Sequence, residues 1–141
     1  MSKWKKPKYE SKQARVVRLL KNKAWILLKE YVRQRDPACV TCGKGGDYKE
    51  AHVGHLKHGY LDFNLKNLNR QCSLCNLYHH GRLDVYADYL NNKYGYGTTE
   101  ELERLKNEEQ MKTKKAVYTE EVMKGIIAGL EELIKQLNAR C

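Results

Sequence analysis

Four of the five cysteines fall into two C-x2-C pairs, Cys39/Cys42 and Cys72/Cys75, and the fifth, Cys141, ends the chain. Two such knuckles supply four thiolates, the complete tetrahedral set that a structural Zn²⁺ takes at about 2.3 Å per bond. Nothing at the N-terminus, MSKWKKPKYE, reads as the apolar core of a secretion signal, so metal thiolates are expected rather than disulfides. The knuckles are 29 residues apart, beyond the ~15–20 of a simple zinc ribbon. An insert therefore sits between them, and it is rich in a different chemistry.

That insert holds His52, His55 and His58, then Asn64, Asn67 and Asn69, and Asn76 directly follows Cys75. With sulfur filling the zinc shell, these side chains are left for a second site. An imidazole titrates near neutrality and can serve as a general base. An asparagine oxygen suits Mg²⁺ or Mn²⁺ better than zinc. Taken singly, each residue also has a plain structural reading. His55 can be a strand residue, Asn67 a loop-turn residue and Asn76 a helix cap. His52 can be an exposed strand residue, His58 a turn residue touching phosphate, and His79 and His80 either solvated or in contact with DNA.

The elements needed to hold these residues can be read from the pattern around them. Val16, Val17, Leu20, Ala24, Leu27, Leu28, Tyr31 and Val32 recur at helical spacing, predicting a helix over 11–36 that Asp36-Pro37 ends. Before it lies a basic arm, 1–10, read as flexible. Residues 37–82 are short-patterned and rich in Gly, Cys, His and Asn, with a strand over 50–56 and a short helix after Cys72. Residues 83–118 read as a helical extension. Thr119 caps a final helix, 119–141, whose apolar stripe packs on the protein's own core or, as the minor alternative, forms a dimer seam. No stretch approaches the ~18 apolar residues of a membrane span.

Of 141 residues, the first 35 carry 8 Lys and 4 Arg against Glu10 and Glu30, a net +10 that equals the whole chain's excess. The rest is neutral. A basic charge so localised suits a polyanion such as DNA or RNA, with Lys12, Arg15, Arg18 and Lys21 as candidate phosphate contacts; His58, Arg70, His79 and His80 are candidates nearer the insert.

The same residues resemble the HNH, or His-Me finger, endonucleases: C-x2-C, a strand ending in histidine, Asn before Leu, then C-x2-C followed at once by His or Asn. Here those positions are Cys39/Cys42, His55, Asn67-Leu68, Cys72/Cys75 and Asn76. The run from Phe63 to Asn76, FNLKNLNRQCSLCN, is closer still to the phage NinG (Rap) recombination nucleases, as are Arg33-x-Arg35-Asp36 before the first knuckle and Gly81-x-Leu83 after the second. The resemblance implies an α+β, mostly α, fold with a zinc-stapled ββα-metal core at 37–82 flanked by helices. It gives His55 the role of base and Asn67 that of brace. Asn76, with His52 as a candidate second ligand, would hold a catalytic Mg²⁺ or Mn²⁺. One position departs from the pattern: many related nucleases carry Asp immediately before the catalytic histidine, and here stands Gly54.

The function expected from this resemblance is metal-dependent cleavage of branched, Holliday-junction-type DNA in phage recombination, in the bacterial host cytoplasm, by a possible homodimer working with other recombination proteins. A non-catalytic zinc module that grips DNA, and an HNH endonuclease acting on linear duplex, are the alternatives.

Overall fold

The computed structural model describes residues 2–140; Cys141 lies outside them. The chain forms two compact units, Met1–Tyr31 with Lys112–Cys141, and Val32–Met111. Within the described residues it is mostly helical with one small antiparallel sheet.

Helix α1 spans Lys12–Arg35. Ser11 caps it, its hydroxyl accepting from Ala14 N at 3.1 Å, as short hydroxyl side chains do at helix starts. In the first unit, Ala24 and Leu28 of α1 are buried, as are Tyr118 and, from α5 (Glu120–Ala139), Met123, Ile127 and Leu130. Thr119 caps α5 by accepting from Val122 N at 3.2 Å. The polar stretch at 112–115 is partly helical: Thr113 accepts from Ala116 N and starts the short helix α4, Lys114–Val117. The N-terminal arm is anchored at two points. The Asn22 side chain donates to Trp4 O at 2.9 Å and accepts from Trp4 N at 3.0 Å. Glu10 pairs with Arg18 at 2.7 Å.

The second unit is built around strands β1, His52–His55, and β2, Leu68–Gln71. They are antiparallel, with His52 opposite Gln71, Gly54 opposite Asn69 and His55 opposite Leu68. Helices α2, Leu83–Tyr94, and α3, Thr98–Gln110, complete it. Leu56, Leu61, Tyr86, Leu90 and Leu102 form its core. Burial of that one apolar cluster secures the sheet, because a two-stranded hairpin alone is marginal in water.

Polar groups fix the sheet as firmly as apolar ones. Tyr86, fully buried, donates from its hydroxyl to Gly54 O at 2.9 Å and accepts from Asn69 Nδ2 at 2.9 Å. Burial pushes this phenol well above its ordinary range, so it stays a donor. Asp36 is buried and accepts from Arg35 Nε at 2.8 Å and from Arg70 N at 2.8 Å. Arg35 also donates to Leu68 O and Asn69 Oδ1. The residues that end the first helix thus clamp β2, with each buried charge paired and hydrogen-bonded.

Candidate metal centre and the polar cluster beside it

Each cysteine pair sits on a turn that presents both sulfurs to one side. At the first, Gly43 N donates to Cys39 O at 2.8 Å and Cys39 N to Lys44 O at 2.9 Å. Gly43 adopts φ +79, a left-handed value that closes the turn and that glycine takes at no steric cost. Val40 N donates to Arg70 O at 2.9 Å, tying the turn to β2. The second pair leaves the end of β2 and enters a single wide turn, Leu74–Tyr78, closed by His79 N donating to Leu74 O at 3.0 Å. This π turn stands where the sequence predicts a short helix.

The ligand atoms of Cys39, Cys42, Cys72 and Cys75 all lie within 4.8 Å of one another. Zinc–sulfur bonds of 2.3 Å set tetrahedral sulfur–sulfur edges of about 3.8 Å, and Cys42 and Cys72 Sγ are 3.7 Å apart. The thiol chemistry agrees. Burial opposes a charge on Cys39, but the Thr41 hydroxyl and nearby backbone amides outweigh it and lower the thiol to about 6. At Cys42 the Lys44 amide favours the thiolate, yet burial and the sulfurs of Cys39, Cys75 and Cys72 push it up to about 12. Four sulfurs so close share their protons until a cation displaces them. The cluster can hold a zinc ion.

Staples at these two turns bring the end of β2, the π turn and β1 together. The side chain of Asn76, on the π turn, hydrogen-bonds His52 Nδ1 at 3.1 Å. Asn67 is fully buried, and its amide donates to the carbonyls of Lys57, Tyr60 and Leu61, each at 3.2 Å, while its oxygen accepts from Lys57 N at 2.7 Å. One side chain thus closes the loop that follows His55. His55 itself is half-buried at the far end of β1, about 10 Å from His52 along the strand. Its Nε2 lies 3.8 Å from Asp62 Oδ1, and its ring is 5.8 Å from that of His58.

Asp62, buried and next to His55, is a neighbour of the candidate base that motif reading misses. Its only sequence signal is a lone acid directly before the Phe63–Asn76 run.

Gly54 explains its own departure from the pattern. A Cβ there would stand 1.8 Å from Gln71 Oε1. Gln71 is fully buried and donates to Gly81 O at 2.8 Å and Thr41 Oγ1 at 3.1 Å, so any side chain at 54 meets an amide fixed in place.

The expected DNA contacts divide. Lys12, Arg15, His58, His79 and His80 are exposed. Arg18 is engaged with Glu10 at 2.7 and 3.2 Å, and Lys21 Nζ lies over the rings of Tyr118 and Trp4 at 4.8 and 5.7 Å. Arg70 corrects the expectation. It is buried, and its guanidinium donates to the carbonyls of Asp36, Pro37 and Gly46. Those carbonyls take its donors into the fold, so it is a structural clamp and not a phosphate contact.

Among the described residues, no helix is long and apolar enough to cross a membrane. No solved structure matches the chain. Protein ninG of Escherichia phage lambda is 28% identical over 112 residues, covering 74% of this chain and 50% of that protein. The chain therefore spans about half the length of this curated relative. The family described as Bacteriophage Lambda NinG protein matches residues 2–139, nearly the whole sequence, and the chain belongs to that family.

Proposed function

We infer that this protein is a metal-dependent endonuclease of the His-Me finger type, acting on branched DNA during phage recombination. The observation that carries the reading is the 3.1 Å contact between Asn76 and His52. It joins Asn76, the residue after Cys75, to β1 beside the four-thiol cluster.

The chemistry would run as follows. Hydrolysis needs water oxygen to attack phosphorus while its proton leaves and the bond to the departing sugar oxygen breaks. His55 would accept the proton, with the Asp62 carboxylate 3.8 Å from its Nε2 beside the ring. Asn67 holds the loop that fixes His55 at the strand end. Asn76 and His52 would hold the divalent ion, Mg²⁺ or Mn²⁺, whose bound charge offsets that on the phosphate and leaving oxygen. The two side chains meet, so both could reach one ion, which would supply positive charge beside the phosphate. To do so the asparagine amide would turn its oxygen to the ion, giving up its hydrogen bond to His52 Nδ1. The zinc cluster is structural and takes no part in the step.

The basic first 35 residues would supply salt-sensitive phosphate affinity without reading sequence. A dimer would place two centres on the two strands of a junction.

The test is a cleavage panel of four-way junction, flap, single strand and linear duplex, with and without Mg²⁺. Junction cleavage that needs Mg²⁺ and is lost in His55→Ala is the expected result. Binding without cleavage, or cleavage unchanged in His55→Ala, leaves only a DNA-gripping zinc module. Equal cleavage of linear duplex removes the branched-substrate reading.

A further inference from the structure

The π turn that carries Asn76 exposes a large apolar surface. Leu74, Leu77 and Tyr78 are 52%, 58% and 75% exposed. None of the three is needed to fill the core, whose buried cluster lies elsewhere in the unit. Isolated exposed apolar residues are ordinary, but three on one five-residue turn form a patch that needs an explanation.

The turn is also held rigidly. Cys75, between these side chains, is buried in the thiol cluster. Gly81 N returns to Cys75 O at 2.8 Å. His80 and Arg82, neither a glycine, adopt φ +53 and +46. Backbone in that region costs free energy and persists where the surrounding structure enforces it. The apolar side chains are therefore presented on a fixed support rather than on a mobile loop.

Charge indicates what would cover the patch. His79, His80 and Arg82, all exposed, directly follow the apolar residues along the chain. Such donor side chains suit a phosphate backbone. Beside them, an apolar side chain and a phenol ring suit the faces of bases that have lost a stacking neighbour. Proteins use such wedges at unstacked steps, and a base on an aromatic ring is worth ~1–3 kcal/mol.

We propose that Leu77 and Tyr78 form a wedge that stacks against the unpaired or unstacked bases at a DNA branch point, making the π turn the element that distinguishes branched from linear DNA. The proposal rests on the nuclease reading for its purpose, since the wedge adjoins Asn76 and would set the branch beside the scissile phosphate. Tyr78 touches bases only and takes no part in hydrolysis.

The test uses the full chain loaded with zinc, with Mg²⁺ omitted so that no cleavage occurs. Binding is measured to a four-way junction and to a duplex of the same length, each with 2-aminopurine beside the centre. The expected result is an emission change at the junction centre, absent in duplex, together with tighter junction binding. Tyr78→Ala lowers the junction-over-duplex affinity ratio about tenfold and abolishes the emission change, and Tyr78→Phe, which keeps the ring, preserves both. An unchanged melting temperature and zinc content in Tyr78→Ala exclude a folding defect. A ratio within twofold of the parent in the Leu77→Ala/Tyr78→Ala double variant overturns the proposal, as does failure of the parent to bind either DNA. So does a change in sedimented mass of the DNA-free variant, which would mark the patch as a contact between copies. Emission change without cleavage in Mg²⁺ retains the wedge and removes the nuclease; cleavage with an unchanged ratio does the reverse.

Discussion

Adding one methyl group at Gly54 tests how firmly the sheet beside the candidate site is packed. In Gly54→Ala the new Cβ would lie 1.8 Å from Gln71 Oε1 and 2.7 Å from its Cδ. A flexible amide would swing away at little cost, but this one is fully buried and anchored through Nε2 to Gly81 O and Thr41 Oγ1. Overpacking of this kind costs ~1–3 kcal/mol. Moving the amide adds two lost hydrogen bonds at about 1 kcal/mol each, so the expected total is about 3–5 kcal/mol. Gln71→Ala alone loses the same two bonds and leaves a cavity, at about 2–4 kcal/mol. In the double variant no amide remains to clash, so its cost should be close to that of Gln71→Ala alone. The double-mutant cycle should therefore show a coupling close to the whole Gly54→Ala cost, about 3–5 kcal/mol. Urea denaturation of the four proteins, with zinc fixed at the same excess, measures it, because ligand concentration otherwise shifts apparent stability. Costs that add within about 0.5 kcal/mol would refute the reasoning, since the two side chains would then not compete for one space.

Other expectations follow from the same geometry. Native mass spectrometry should find one zinc per chain, kept in Cys141→Ser and lost in Cys75→Ser. Asn67→Ala removes four hydrogen bonds from a fully buried amide and should cost about 3 kcal/mol of stability; in nuclease assays it should lower kcat more than it raises KM. Asp62→Asn should reduce junction cleavage at least tenfold, read as single-turnover rate, while leaving DNA affinity within twofold. Lys12→Ala and Arg15→Ala should each lower the slope of log affinity against log salt by about 1, whereas Arg70→Ala should show its effect in denaturation.

Local chemistry was legible in the sequence and long-range chemistry was not. Two C-x2-C pairs announce a thiolate cluster because ligand spacing is set within a turn, and Thr119 announces a helix start because a cap bonds three residues ahead. Arg70 misleads because a basic residue near a binding motif is ordinarily solvated. Its burial depends on Asp36 and Gly46, 34 and 24 residues away. Asp36 itself reads only as a helix stop before Pro37, yet it is the acceptor on which the end of α1 and β2 converge. Tyr86 lies in the stretch read only as a helical extension, but its hydroxyl donates to Gly54 O on β1. In each case the deciding partner lies on another element, and no local periodicity encodes it.

The departure at Gly54 and the candidacy of His52 are two sides of one packing fact. Strand residues two apart share a face, so His52 and Gly54 point the same way, and Gln71 pairs with His52 in the register. The Gln71 side chain fills the space over Gly54 because its amide must reach Gly81 and Thr41. That amide joins β2 to the backbone just past the π turn, a link the sheet keeps only while position 54 stays bare. A polar side chain on this face of β1 must then come from position 52, and His52 meets Asn76 there. A side chain at 54 is thus excluded on steric grounds, and the polar contact on this face of β1 is made two residues earlier, by His52.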